Sequence, residues 1–262
     1  MRSKPLKLKP LKAVDFFCGA GGVTCGFKKA GIEVLGGIDI DSSCKSTYEK
    51  NNKAIFINKD IGELSFLYLT KCLGIRKDDN ELIFIGCSPC QYFTNLKTDK
   101  TKSKKTRLLL ENFQEFVDYF KPGYVFIENV PGLNKKAETP LFRFKEFLLK
   151  NGYCFDDGIL NAKYFGVPQN RRRYVLIASR VSKIICLPKE DKRTVKTVRE
   201  AIGDKKNFPP IPAGHIDLTS HIHSAAKLSD LNLQRLITIL HRRAWENDEA
   251  LQLKCYKHNK GH

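Results

Sequence analysis

AVDFFCGAGGVTCGF, residues 13–27, is the stretch whose reading decides the fold. Its first five residues make a strand candidate, and Gly19, Gly21 and Gly22 then fall in a tight strand-to-helix turn where a side chain would block a ligand. A second strand candidate, EVLGGID at 33–39, ends in Asp39, 20 residues after Gly19, the placement at which a carboxylate accepts from ribose hydroxyls. Together they describe a nucleoside site. The pattern departs from the pyrophosphate fingerprint, because Thr24 stands where a third glycine belongs. S-adenosylmethionine, with ribose and adenine but no phosphate, fits that departure better than NAD. Plainer readings stand beside these: a glycine-rich turn with a solvated aspartate, and, for Asp60 after the third strand, a helix cap rather than an acceptor from the adenine amino group.

Working outward, apolar runs alternate with amphipathic stretches from residue 13 to about 180, the pattern of a parallel sheet flanked by helices. Further strands are expected at 54–60, 82–86, 124–130, 154–160 and 174–179, with helices at 22–30, 42–52, 107–120 and 140–151. The fold class is therefore α/β, a doubly wound, mostly parallel sheet whose last two strands form an antiparallel pair at one edge. After Arg180 the pattern breaks at Pro188, Pro209, Pro210 and Pro212, and one more helix is expected at 228–243. The domain expectation is a catalytic domain at 1–182 and a second, incomplete region at 183–262.

The 262 residues hold 46 Lys and Arg against 28 Asp and Glu, a net charge of +18 that favours a polyanionic partner, a nucleic acid first of all. No stretch approaches the ~20 consecutive apolar residues of a membrane span, and the basic opening is followed by no signal-type apolar core. A cytoplasmic protein without a membrane partner is expected. Nine scattered cysteines do not suggest a disulfide framework. Cys87 and Cys90 form a C-x-x-C, but zinc would need a second ligand pair, and His221 and His223 are the only close histidines; no metal is expected.

Three pieces converge on the carboxyl edge of the expected sheet. Cys90 lies in GCSPCQYFT (86–94) after the fourth strand, ENV (Glu128, Asn129, Val130) ends the fifth, and QNRRR (Gln169 to Arg173) enters the last. This set suits cytosine methylation. Carbon 5 of the ring is too poor a nucleophile to attack a methyl sulfonium, and a thiolate adding at carbon 6 converts it into an enamine that can. Glu128 would share a proton with ring N3, and Arg173 would hold that carboxylate and the base's O2. The target base must leave the stack to be reached. Taken singly, Cys90 reads equally as a small buried hydrophobe, Glu128 as an ion-pair partner and RRR as a surface patch.

These motifs resemble the cytosine-5 DNA methyltransferases of the Pro-Cys-Gln and Glu-Asn-Val type: DFFCGAGGVTCGFKKAG is similar to the family's cofactor loop, GCSPCQYF to its nucleophile motif, ENVPG to its glutamate motif and QNRRRYVLIA to its arginine motif, over residues 13–180. The resemblance implies a SAM-dependent methyltransferase sheet, Cys90 as nucleophile, Glu128 and Arg173 on the flipped cytosine, and Arg171 in support. Phe17, Gly19, Ala20, Gly21, Gly22, Asp39, Ile40, Asp60, Ile61 and Pro89 would line the cofactor pocket. Residues 91–107, rich in lysine, correspond to a loop that closes over DNA, with Gln91, Lys97, Lys104, Lys105, Arg107 and Gln169 expected on double-stranded DNA.

The family ordinarily continues into a Pro-Thr-x-Thr segment and a final helix with an Asn that completes the cofactor site, and neither is found before His262. A truncated chain, or one completed by a second polypeptide, is the expectation. The reading is thus a DNA (cytosine-5)-methyltransferase of a restriction-modification system. A transfer-RNA cytosine-5 methyltransferase and a catalytically incomplete nucleic-acid-binding module are the alternatives.

Overall fold

Seven strands, β1 (Lys12–Phe16), β2 (Glu33–Asp39), β3 (Ile55–Asn58), β4 (Leu82–Gly86), β5 (Tyr124–Asn129), β6 (Cys154–Asn161) and β7 (Arg172–Ser179), form one sheet in the order β3-β2-β1-β4-β5-β7-β6. The first five are parallel, and β7 runs antiparallel to both β5 and β6. The computed structural model describes residues 10–88, 100–131, 139–219, 223–238 and 250–251, with the backbone alone for 100–107. The chain divides into two compact units, Met1–Val195 and Lys196–His262.

Strand β1 lies in the middle of the sheet, and helices cover both of its faces. Val14 and Phe16 join the larger core with α3 (Phe66–Leu73), α4 (Lys100–Phe120) and α5 (Pro140–Lys150). Ala13 and Asp15 face α1 (Gly22–Lys29) and α2 (Lys45–Asn52). Phe16 meets Phe84 and Phe113 edge-on at centroid distances of 5.1 and 5.2 Å, contacts worth about 0.5–1.5 kcal/mol each beyond area burial. Caps fix the helices that cover this face. Ser65 accepts from the Tyr68 N–H at the start of α3, whose end is closed by Gly74 at φ 64°. Thr139 accepts from the Phe142 N–H ahead of Pro140, which has no N–H to leave unsatisfied.

Helices α4 and α3 of the first unit differ from the sequence expectation. Helix α4 begins at Lys100, not 107, because the lysine-rich run that reads as a loop by its charge also has good helix propensity. Helix α3 was not expected at all: in SFLYLTKCLG the apolar residues are too dense for a clear period, although the serine and glycine caps were both legible. At the sheet's far edge, Leu187 N–H donates to Asp156 Oδ2 (2.7 Å) and Asn161 N–H to Glu190 Oε1 (2.6 Å). These bonds tie residues 187–190 to β6 and carry the first unit past the change in sequence that follows Arg180.

In the second unit, α6 (Val198–Ile202) opens with a reciprocal Thr197–Glu200 capping box. Helix α7 (Asp230–Thr238) leaves Leu231, Leu233, Leu236 and Ile237 exposed. No helix among the described residues is long and apolar enough to cross a membrane.

Gly37 is the tightest point of β2, since a Cβ there would fall 2.6 Å from both Cys18 Sγ and the Tyr48 ring. Gly22 faces open space. Gly37→Ala is expected to lower unfolding free energy by about 1–3 kcal/mol and Gly22→Ala to leave it within about 0.5 kcal/mol. Urea denaturation of the two variants beside the parent checks the contrast, and equal midpoints would refute it.

Candidate active site

The parallel register aligns Phe16 with Ile38 and Gly86, and Gly86 with Ile127, so the segments after β1, β2, β4 and β5 all leave from one edge. The strand order reverses between β1 and β4 at that edge, opening a crevice of the kind that holds ligands in doubly wound sheets. Because β7 is reversed, its amino end, with Arg172 and Arg173, arrives at the same edge.

The glycine loop turns through three left-handed residues, Phe17 (φ 63°), Gly19 (φ 49°) and Gly21 (φ 89°). Phe17, with a side chain, holds this conformation at a cost of about 1–2 kcal/mol. Gly19 N–H donates to Asp39 Oδ2 (2.8 Å), and Asp41 N–H donates to Asp39 Oδ1 (2.9 Å). Each carboxylate oxygen keeps a lone pair for a further donor. The glycines differ in what they permit. At Gly21 a Cβ would fall 2.2 Å from Asn52 Nδ2 and 2.8 Å from the Tyr48 ring, so that glycine lets the loop pack against α2. Gly19 and Gly22 face open space, and Ala20 is exposed.

Beneath the loop lies a group that sequence reasoning missed. Asp15, wholly buried in β1, accepts from Thr24 Oγ1 (2.6 Å), and Thr24 is in turn 3.1 Å from the Tyr48 hydroxyl. Among the described residues Asp15 Oδ1 has no partner. Burial pushes the Asp15 carboxyl up to about 7, against the bond from Thr24 and with help from the charge of Asp39. Burial likewise raises the Cys18 thiol, which excludes it as a nucleophile near neutral pH. Among the described residues neither Asp15 nor Asp39 forms an ion pair with a lysine or arginine. The signal for Asp15 was an acid inside an otherwise apolar strand.

Further along the edge, Ile40 projects with 67% of its surface exposed, and Asn58 Nδ2 donates to the carbonyls of Asp39 and Ile40. Asp60 Oδ1 accepts from Gly62 N–H (3.0 Å), capping the turn Ile61–Glu63, and Ile61 is buried. Across the crevice, Arg173 Nε meets Glu128 Oε1 at 2.8 Å, both side chains about a quarter exposed. Asn129, buried, donates from Nδ2 to the Ser88 carbonyl (3.4 Å), tying the end of β5 to the segment after β4. Arg171 and Arg173 rim a hollow of about 330 Å³ floored by Phe126, Val175 and Ile177. Gln169 is exposed just ahead of them. Pro89, Cys90, Gln91 and Lys97, and the side chains of Lys104, Lys105 and Arg107, lie outside the described residues. Among the described residues no cluster of histidine, cysteine and acid side chains could hold a metal ion.

A family profile described as C-5 cytosine-specific DNA methylase matches residues 11–260. The chain is 33% identical over 252 residues to the type II methylase M.HgiDII of Herpetosiphon aurantiacus, covering 95% of this chain and 69% of that protein. It is 32% identical over 206 residues to the type II methyltransferase M.XorII of Xanthomonas oryzae, covering 76% of this chain and 48% of the relative. Its fold is similar to that of a prophage-encoded candidate DNA modification methyltransferase of E. coli, with TM-score 0.63, 25% identity, and 80% and 58% of the two chains covered. The S. pombe Dnmt2 methyltransferase, at 19% identity and TM-score 0.56 over 93% of this chain and 89% of that one, shares the fold.

Asp15 makes stability depend on pH in a defined window. Below about pH 4 the group is protonated in both states, and between about 4 and 7 the unfolded chain releases a proton that the fold retains. Stability therefore falls as pH rises through that window and levels off above it. Relative to Asp15→Asn, the parent is expected to lose on the order of 4 kcal/mol between pH 4 and 8. Denaturant titrations of both proteins at several pH values measure it, and parallel profiles would show that Asp15 titrates normally.

Proposed function

Because the chain belongs to the C-5 cytosine-specific DNA methylase family, we propose that it transfers a methyl group from S-adenosylmethionine to carbon 5 of cytosine in DNA. The observation that carries this reading is the Glu128–Arg173 pair, 2.8 Å apart at the same sheet edge as the Gly19–Asp39 contact. A group that can protonate a ring and a loop that can hold a nucleoside thus share one crevice.

In this reading the flipped cytosine lies against Glu128. Cys90, two residues past the Ser88 carbonyl that Asn129 holds, adds its thiolate to carbon 6. A proton taken from solvent and shared between the Glu128 carboxylate and N3 draws electron density off the ring as the bond forms, and Arg173 fixes the carboxylate in plane while its remaining N–H groups face the base's O2. When bound, S-adenosylmethionine would supply an electrophilic methyl group on its sulfonium and leave as the neutral thioether. Transfer of the carbon-5 proton to solvent would then expel the Cys90 thiolate and restore the aromatic ring. The cofactor assignment is supported by Asp39, which among the described residues forms no ion pair and keeps lone pairs for ribose hydroxyls beside the glycine loop. Phe17, Ala20, Ile40, Ile61, Asp60 and Pro89 are assigned to the rest of that pocket, with Arg171 supporting the arginine that faces the base. Gln91, Lys97, Lys104, Lys105, Arg107 and Gln169 are assigned to DNA, and residues 183–262 to a linker and the start of a target-recognition region. A role in restriction and modification accords with the type II methylase relatives.

The test is covalent trapping of the full chain on duplex DNA carrying 5-fluorocytosine, in the presence of S-adenosylmethionine. The fluorine cannot leave as a proton does, so the adduct should survive denaturation. Cys90→Ser is expected to abolish it, and Arg173→Ala to slow its formation by about 100-fold. Undiminished trapping by Cys90→Ser would refute the nucleophile. Transfer RNA run in parallel distinguishes the substrates, and preferential labelling of it would overturn the assignment to DNA.

A further inference from the structure

The interaction between the glycine loop and the sheet beneath it is a hydrogen-bond chain through three buried side chains. Thr24 has one hydroxyl proton and gives it to Asp15 Oδ2 at 2.6 Å. Thr24 Oγ1 also lies 3.1 Å from the Tyr48 hydroxyl, which donates to it while Asp15 is ionised. The chain joins Tyr48, Thr24 and Asp15, from α2 through α1 into β1. All three residues are wholly buried, so none can touch a ligand in the crevice without leaving its place.

The same residues abut the loop and β2. The Tyr48 ring lies where a Cβ on Gly21 would come within 2.8 Å and one on Gly37 within 2.6 Å. Tyr48 is thus wedged between the turn that presents Gly19 and the strand that ends in Asp39. Asn52, one helical turn on, donates to the Tyr48 carbonyl, and the Lys28 ammonium reaches the Asn52 carbonyl, which ties α2 to α1. The Gly19–Asp39 hydrogen bond spans the gap that this wedge holds open.

We propose that Thr24 and Tyr48 are positioning residues for the cofactor: through Asp15 they lock the glycine loop against β2, and cofactor affinity depends on this chain although no member of it reaches the ligand. This rests on the reading of the crevice as an S-adenosylmethionine site. A threonine in place of a third glycine then has a use of its own, because its hydroxyl supplies the link that a glycine lacks. The raised carboxyl of Asp15 accords with a group held for its geometry in a place that disfavours its charge.

The experiment is a calorimetric titration of S-adenosylmethionine into the full chain, run well below the unfolding midpoint of each variant. Thr24→Val, which keeps the shape and removes the hydroxyl, is expected to weaken binding about tenfold. Thr24→Ser restores the link and is expected to bind within about threefold of the parent, a rescue that bulk packing alone does not predict. Tyr48→Phe is expected to weaken binding about threefold alone and to add little on top of Thr24→Val, because it acts through Thr24. Parent-like binding by Thr24→Val, or a Thr24→Ser variant as weak as Thr24→Val, would overturn the proposal while leaving the cofactor site intact. If Thr24→Val does not fold, Tyr48→Phe decides, and unchanged affinity overturns it. A parent chain that binds no S-adenosylmethionine would remove the cofactor reading and this inference with it.

Discussion

Continuous parallel pairing from β3 through β5 is the constraint on which the rest depends. Parallel strands need crossovers, and the crossovers return each strand to the same side of the sheet, so every strand delivers its following segment to one edge. Since β1 pairs with β2 on one side and β4 on the other, the first crossovers run one way and the later ones the other. The crevice above β1 and β4 is the gap this reversal leaves. Both contacts that organise it are hydrogen bonds between adjacent strand ends: Gly19 to Asp39 across β1 and β2, and Asn129 to Ser88 across β4 and β5. Neither would form if a neighbouring strand slipped by one residue, because a slip turns the end residue to the opposite face.

Charge is divided across the crevice in a way that net composition conceals. The chain carries +18, yet the side bounded by β1 and β2 holds Asp39 above the buried Asp15, neither of them in an ion pair among the described residues, and the side bounded by β5 and β7 presents arginines. On the proposed reading, a cationic methyl donor and an anionic polynucleotide approach the same edge from these two sides without competing for the same field. The buried acid costs stability in proportion to its ionisation, and Asp39, only partly buried, adds to that cost. Thr24 offsets part of it with one short hydrogen bond.

What the sequence made legible follows from how local the information was. The strands that run apolar from end to end, LIFIG at 82–86 above all, needed no partner to be recognised, and β4 has the bounds that its composition implies. The turn at 17–21 and the carboxylate at 39 were legible because backbone conformation and spacing fix them. The Thr24–Asp15–Tyr48 chain was not, since its members lie 9 and 24 residues apart and only packing brings them together. The role of Gly21 was hidden for the same reason: the sequence shows a glycine that could admit a ligand, and the fold shows one that admits Tyr48 and Asn52. Helix α4 lost its first turns in the sequence reading because lysines are equally at home in a loop and on a solvated helix face.

The reversal of β7 explains a feature of the motif order. Candidate site residues on parallel strands lie at or beyond the strand's carboxyl end, as Asp39 at the end of β2 and Glu128 near the end of β5 do, because the carboxyl ends form the shared edge. On an antiparallel strand the amino end lies there instead, so its working residues must precede or begin it. Arg171 to Arg173 do so. Their alternation then sorts them. Glu128 lies opposite Val175, and Arg173, two residues earlier on the same face, reaches back to Glu128, while Arg171 shares the rim of the hollow and Arg172 falls on the opposite face. Three consecutive arginines, which by composition alone read as a basic patch, thus separate into two on the side of the crevice and one facing away. That separation depends on the hydrogen-bond register between β5 and β7 and on nothing in the triplet itself.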